Sequence, residues 1–238
     1  MSFSEKNILV VGGSSGIGLA LVKMLLADNA RVWILSRKAP IDLSDSRLSH
    51  IVWDAQQPQT LAIENLPDII HGFAYCPGTI NLKPFQRLSV ADFQNDFQVN
   101  VLGAVVLLQQ ILPRLKKATE GASVVMFSTV AAKIGMGFHA SIAASKGAVE
   151  GLAKSLAAEW AASRIRVNVV APSLTDTPLA AQLLGSPEKR EASDKRHPIG
   201  RVGQAEDVAN VAHFLLSEKS SWLTGQVLGI DGGMSSLK

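Results

Sequence analysis

Ile8-Leu-Val-Val-Gly-Gly-Ser-Ser-Gly-Ile-Gly18 passes from four apolar residues suited to a buried strand into a glycine-rich turn, and Ile17–Ala27 then continues with apolar residues at helical spacing. A strand, a turn and a helix in that order make the first half of a βαβ unit. Glycines let the backbone turn sharply and approach a ligand closely. The helix that follows presents free amides and the positive end of its dipole. Gly12, Ser14, Ser15, Gly16, Ile17 and Gly18 therefore read as a cradle for a pyrophosphate. The spacing from Gly12 is G-x-x-x-G-x-G and not the commoner G-x-G-x-x-G, so the flanking strand and helix supply the specificity of the signal.

The same alternation runs outward through the chain. Short apolar runs at Asn7–Val11, Arg31–Leu35, His50–Trp53, Ile69–Ala74, Ser123–Phe127, Ile165–Val170 and Gln226–Ile230 predict seven strands. Between them, Ile17–Ala27, Asp92–Lys116, Ser141–Ala162 and Glu206–Leu216 have helical period and few breakers, with Pro113 marking the last turn of the second. The pattern predicts a single α/β domain over residues 1–238, a doubly wound Rossmann-type seven-stranded parallel sheet with helices on both faces. Residues 178–200, rich in Pro, Gly and charge, are expected to be an irregular loop covering a substrate site.

Composition narrows the function. Apolar residues make up 47% of the 238 and charged residues 18%, which excludes a disordered chain. No uninterrupted apolar run approaches the roughly 20 residues that span a bilayer, and the N-terminus lacks a secretory signal pattern, so a cytoplasmic protein with no membrane partner is expected. The single cysteine, Cys76, reads as a small buried hydrophobe and excludes an internal disulfide and any cysteine-rich metal site; no metal is expected. A net charge of +3, with Lys and Arg scattered, argues against nucleic acid. Lys189, Arg190, Lys195, Arg196 and His197 form one basic patch in the irregular segment, most simply a solvated surface.

The second strand ends Leu35-Ser36-Arg37-Lys38, about twenty residues past the glycines, where a site for NAD usually places a carboxylate on the ribose 2′-hydroxyl. Ser36 can hydrogen-bond a 2′-phosphate and Arg37 can pair with it, so NADP(H) is preferred to NAD(H). Asp54, at the end of the third strand, is a candidate acceptor for the adenine amino group and equally an ordinary turn residue.

Together these features resemble the classical short-chain dehydrogenase/reductase family over nearly the whole chain. Val11-Gly-Gly-Ser-Ser-Gly-Ile-Gly18 is similar to its Thr-Gly-x-x-x-Gly-Ile-Gly signature, with Val for Thr. Arg166-Val-Asn-Val-Val-Ala-Pro172, Asp176-Thr-Pro178, Pro198-Ile-Gly-Arg-Val-Gly203, Leu223-Thr-Gly-Gln-Val227 and Asp231-Gly-Gly233 look like its C-terminal half, above all that of the bacterial 3-oxoacyl-acyl-carrier-protein reductases. The resemblance implies cofactor contacts from Ala55, Gly78, Asn100, Lys146, Pro172 and Thr177, with Asn168 and Thr177 toward the nicotinamide. Ser173 stands where the family usually has Gly. It also implies a homodimer or homotetramer that pairs the helices at 92–116 and 141–162.

The family's active site is an Asn, a Ser, a Tyr and a Lys, the Tyr donating a proton to the carbonyl oxygen. Asn100 and Lys146 match; Thr129 stands at the Ser position and Ile142 at the Tyr position. Ile142 and Lys146, four apart, are expected on one helix face. With the phenol gone, water, Lys146 or His139 would have to protonate the product. Tyr75, the only tyrosine, lies in Tyr75-Cys-Pro-Gly78 where the family has Asn-Asn-Ala-Gly, and is not expected to replace it. Two functions follow: reduction of a small-molecule carbonyl or 3-oxoacyl thioester with an altered proton donor, or a cofactor-binding subunit without activity.

Overall fold

In the computed structural model, which describes residues 3–58 and 61–237, seven parallel strands form one sheet. They are β1 (Asn7–Val11), β2 (Arg31–Ser36), β3 (Leu48–Val52), β4 (Gly72–Tyr75), β5 (Ala122–Phe127), β6 (Ile165–Pro172) and the last strand, β9 (Val227–Ile230), in the order β3-β2-β1-β4-β5-β6-β9. Two-residue strands β7 (Thr175–Asp176) and β8 (Gly203–Gln204) pair beyond β6. The helices are α1 (Gly16–Ala27), α2 (Val90–Phe97), α3 (Gly103–Lys116), α4 (Ala140–Trp160), α5 (Pro187–Asp194) and α6 (Ala205–Leu216).

Strand alternation explains the layering. Leu9 and Val11 of β1 join Val124 and Met126 of β5 in a core under α3 and α4. The intervening Ile8, Val10, Val125 and Phe127 face the opposite core under α1 and α6. Side chains buried on both faces are what a parallel sheet covered by helices requires. The order reverses between β1 and β4, and the crevice at the carboxyl ends of these strands is where such a sheet receives ligands.

Several boundaries differ from the sequence expectation. The third strand lies at Leu48–Val52, not His50–Trp53, because pairing with Val32–Ser36 sets its register at an edge where burial is only partial. The fourth begins at Gly72; Ile69 and Ile70 precede it. The helix predicted over Asp92–Lys116 begins at Val90 behind a Ser89 capping box and contains a π turn at Gln98–Leu102 between α2 and α3. Pro113 does sit in its last turn. The composite Val90–Lys116 is long and apolar enough to cross a bilayer by composition, yet half of its most apolar window is buried, as in a core helix. Residues 178–200 are not irregular: Pro178–Leu183 forms a 3-10 turn and Pro187–Asp194 forms α5. Ser186 and Pro187 supply the N-cap and first position of α5, a signal overridden in the sequence reading by the segment's charge.

Candidate cofactor and active site

Gly12 and Gly16 adopt φ of +76° and +51°, the left-handed region that favours glycine. A Cβ on Gly18 would run into the Gly12 carbonyl, so α1 starts tight against the turn. Ser15 is the N-cap of α1 but its side chain makes no capping bond, and the first turn carries no acidic residue. The first amides of a 12-residue helix are thus left to an anion. Thr177 packs on Gly16, with its Cγ2 3.2 Å from where a Cβ would lie, and Pro77 lies 3.3 Å from the equivalent point on Gly12. The loops after β4 and β6 therefore border the cradle.

At the end of β2, Arg37 and Lys38 are exposed, and neither makes a salt bridge among the described residues. Ser36 is buried: its hydroxyl donates to the Lys38 carbonyl at 2.8 Å and lies 3.1 Å from His50 Nε2. His50 Nε2 also meets the Ser36 carbonyl, which only accepts, so this nitrogen carries the proton. The Ser36 hydroxyl is spent on the strand end, leaving Arg37 as the group open to a 2′-phosphate. Asp54 Oδ1 accepts the Gln56 amide at 2.9 Å in a turn, with Ala55 beside it on the core.

Around β5 and α4 the reactive side chains converge. Asn100 lies in the π turn and its Nδ2 donates to Thr79 Oγ1 and Ser145 Oγ, each at 3.1 Å. Lys146, buried on α4, donates from Nζ to the Phe127 carbonyl at 2.8 Å. A Cβ on Gly78 would lie 3.5 Å from Lys146 Nζ and 3.6 Å from Asn100 Oδ1, so all three meet beside the cradle. Burial brings the Lys146 ammonium down to about 8. Thr129 caps the turn after β5: its oxygen accepts the Ala131 amide, leaving its own proton to donate. Ile142, one turn before Lys146, is buried.

Other candidates stand apart. His139 precedes α4 as its N-cap, half-exposed, with Nδ1 bonded to the Gly137 carbonyl at 2.6 Å. Tyr75 is not in a loop: it ends β4, is buried, and donates to the Val99 carbonyl of the π turn at 2.6 Å. Burial, then the charges of Asp54 and Cys76, push its phenol far above the usual range, and it cannot act as an acid at this site. Cys76 is half-buried and desolvation pushes its thiol up to about 12. Asn168 does not reach a nicotinamide; wholly buried, it donates to the Leu223 carbonyl and accepts the Gln226 amide, tying β6 to the approach to β9. Two of the four cations in the basic patch are paired, Arg190 with Asp176 and Lys195 with Glu191, while His197 is buried between the Ser193 carbonyl and the Ser173 hydroxyl.

The sequence reading missed Ser145, whose place beside Lys146 was its only signal. Among the described residues no cluster of His, Cys, Asp or Glu could hold a metal. A concavity of about 540 Å³ lies at the amino-terminal ends of β1, β4, β5 and β6, with Phe3, His71, Arg166 and Trp222 in its lining; it holds none of these groups.

The residues present fit a dinucleotide: an uncapped helix N-terminus, left-handed glycines beneath it, an unpartnered Asn100 Oδ1 and a lysine with two protons to spare. Comparison with known proteins agrees. A family profile described as enoyl-(acyl carrier protein) reductase matches residues 11–235. A tropinone reductase homolog of Arabidopsis thaliana is 31% identical, covering 98% of this chain and 94% of that protein. The 3-oxoacyl-[acyl-carrier-protein] reductase of Thermotoga maritima is 32% identical, covering 98% and 99%. Among solved structures, a short-chain type dehydrogenase/reductase from Mycobacterium ulcerans superposes with a TM-score of 0.90 at 28% identity, covering 100% of this chain and 92% of that one. ElxO with NADP bound superposes at 0.89 with 25% identity, covering 97% and 99%.

Proposed function

Because the chain belongs to the short-chain dehydrogenase/reductase family, we propose that it is an NADPH-dependent carbonyl reductase in which Lys146 replaces the missing tyrosine as proton donor. The observation that carries this reading is the Lys146 amine, held in a buried pocket between Gly78, Asn100 and the Phe127 carbonyl and loses its proton at about 8. An acid with that value is protonated at neutral pH and still gives up its proton readily.

Bound, the cofactor supplies hydride to a carbonyl carbon. Gly12, Gly16, Ser14, Ser15 and the first turn of α1 would hold its pyrophosphate, and Arg37 would pair with the 2′-phosphate. Asp54 and Ala55 would take the adenine side, and Pro172 and Thr177 the nicotinamide end. Thr129 donates its hydroxyl proton to the substrate oxygen and fixes its orientation. Lys146 protonates that oxygen as negative charge develops on it. His139, tethered to Gly137 at the start of α4, is not needed for the step.

A 3-oxoacyl thioester is the substrate we favour. The similarity to the Thermotoga maritima reductase supports it, and the hydrocarbon of Ile142 suits an acyl chain. The partly exposed Phe97 and Leu102 beside α4 support a homodimer through this face.

The test is single-turnover oxidation of NADPH with an acetoacetyl thioester. Turnover by the native chain that disappears in Lys146→Ala supports the reading. A second reading, a cofactor-binding subunit without activity, is favoured by the buried Ile142 alone. Tight NADPH binding without native turnover, together with activity gained in Ile142→Tyr, would establish it instead.

A further inference from the structure

We propose that His197 is a positioning residue of this site: through Ser173 it ties α5 to the loop after β6, and so sets the part of that loop that receives the nicotinamide end of the cofactor. The inference rests on the reading of Pro172 and Thr177 as nicotinamide contacts and adds the group that keeps them in place.

His197 is 2% exposed and both of its ring nitrogens are partnered. Nδ1 lies 2.8 Å from the Ser193 carbonyl of α5, which only accepts, so this nitrogen carries the proton. Nε2 is then the acceptor, and the Ser173 hydroxyl donates to it at 2.9 Å. Ser173 follows directly on Pro172, the last residue of β6, and its amide donates to the Ile230 carbonyl at the end of β9. The imidazole therefore joins a short helix to the carboxyl end of the sheet, where the crevice lies.

From Ser173 the bonds run on toward the glycine turn. Thr175 Oγ1 donates to the Ser173 carbonyl at 3.1 Å, and Thr177 Oγ1 donates to the Thr175 carbonyl at 3.3 Å. Thr177 in turn packs its methyl against Gly16. The loop is thus held at two ends, by Gly16 at one and by His197 at the other. α5 has little packing of its own: it is eight residues long and only Ser193 is buried. A helix of that length does not persist in water without outside support. The Arg190–Asp176 ion pair at 2.6 Å supplies some, but both side chains are 39% exposed and salt screens them. Asp194 adds a bond from its carboxylate to the Val202 amide at 2.8 Å, within the same segment. His197 supplies the tie that is out of water and reaches β6.

Two ligands separate positioning from general support: NADPH, and 2′-phospho-ADP-ribose, which lacks the nicotinamide. Calorimetric titration of the full chain should show Ser173→Ala and His197→Leu weakening NADPH about 3- to 10-fold, the size one buried hydrogen bond accounts for. The affinity for 2′-phospho-ADP-ribose should stay within about twofold of native. His197→Gln keeps one donor and one acceptor and should restore most of the loss. Limited trypsin digestion without ligand reads the tie itself, because cleavage after Lys189, Arg190, Lys195 or Arg196 requires α5 and the turn after it to open. That cleavage should quicken about 3- to 10-fold in the Ala and Leu variants, with cleavage elsewhere in the chain at its native rate. Should His197→Leu not fold, Ser173→Ala, which removes a single hydroxyl, carries the test alone. Native cleavage rates in the folded variants, or equal losses for the two ligands, overturn the proposal. A native chain that binds neither ligand refutes the cofactor reading instead, and the cleavage rates then judge the tie by themselves.

Discussion

Ile142 and Lys146 stand one helical turn apart on the same face of α4, both buried, so a hydrocarbon side chain fills the place beside an amine that loses its proton at about 8. Placing a phenol there tests which group limits the proposed proton step. Ile142→Tyr is expected to raise the rate of thioester reduction by about 10²- to 10⁴-fold if proton donation is limiting, the range that one general acid contributes. Steady-state NADPH oxidation measures it. A rate that stays at the native level would mean that Lys146 already supplies the proton fast enough.

The depressed Lys146 predicts a pH-dependent stability. In the unfolded chain a lysine titrates near 10.5 and in the fold near 8, so between these values the unfolded state binds more protons and stability rises with pH. Below about 8 both states are protonated and the whole penalty applies. From pH 8 to 10.5 the gain approaches about 3 kcal/mol, an upper limit for a single buried lysine. Urea titrations of the native chain and of Lys146→Met at pH 7.5 and 10 check it. The rise should be present in the former and absent from the latter.

What the sequence revealed and what it concealed follow one physical line. The glycine turn and the alternating strands are set by local patterns, whereas Asn100, Thr129, Lys146 and Ile142 were found through the family resemblance; of these, the structure sets Asn100 and Lys146 together beside Gly78. The roles of Ser36 and Asn168 were not legible, because each is spent on a partner distant in sequence or fixed by the fold: Lys38 and His50 for one, Leu223 and Gln226 for the other. Residues 178–200 were misread because charge and Pro content masked the Ser186-Pro187 start of a helix.

The proposed preference for NADP(H) rests on Arg37, one of two exposed cations at the end of β2 now that Ser36 is committed to Lys38 and His50. Arg37→Glu replaces attraction for a 2′-phosphate with repulsion and offers an acceptor to a 2′-hydroxyl. Fluorescence titration should show NADPH binding weakened by at least about 10-fold, with NADH binding equal or stronger; this corresponds to about 1.4 kcal/mol. Equal losses for both cofactors would place Arg37 outside the 2′-site.

Tyr75 separates support from chemistry. Its hydroxyl reaches the Val99 carbonyl in the π turn that carries Asn100, and a Cβ on Gly103 would collide with that hydroxyl, so the ring and the turn are fitted to each other. Tyr75→Phe leaves a buried carbonyl without its donor and is expected to cost about 1–3 kcal/mol in urea unfolding. Asn100 keeps its bonds to Thr79 and Ser145, which do not pass through the phenol. Turnover per folded molecule should therefore stay within about twofold of native, against the 10²-fold or greater loss that removal of a general acid brings. A loss of the larger size, with stability unchanged, would mean that the phenol moves in the working enzyme and donates the proton itself.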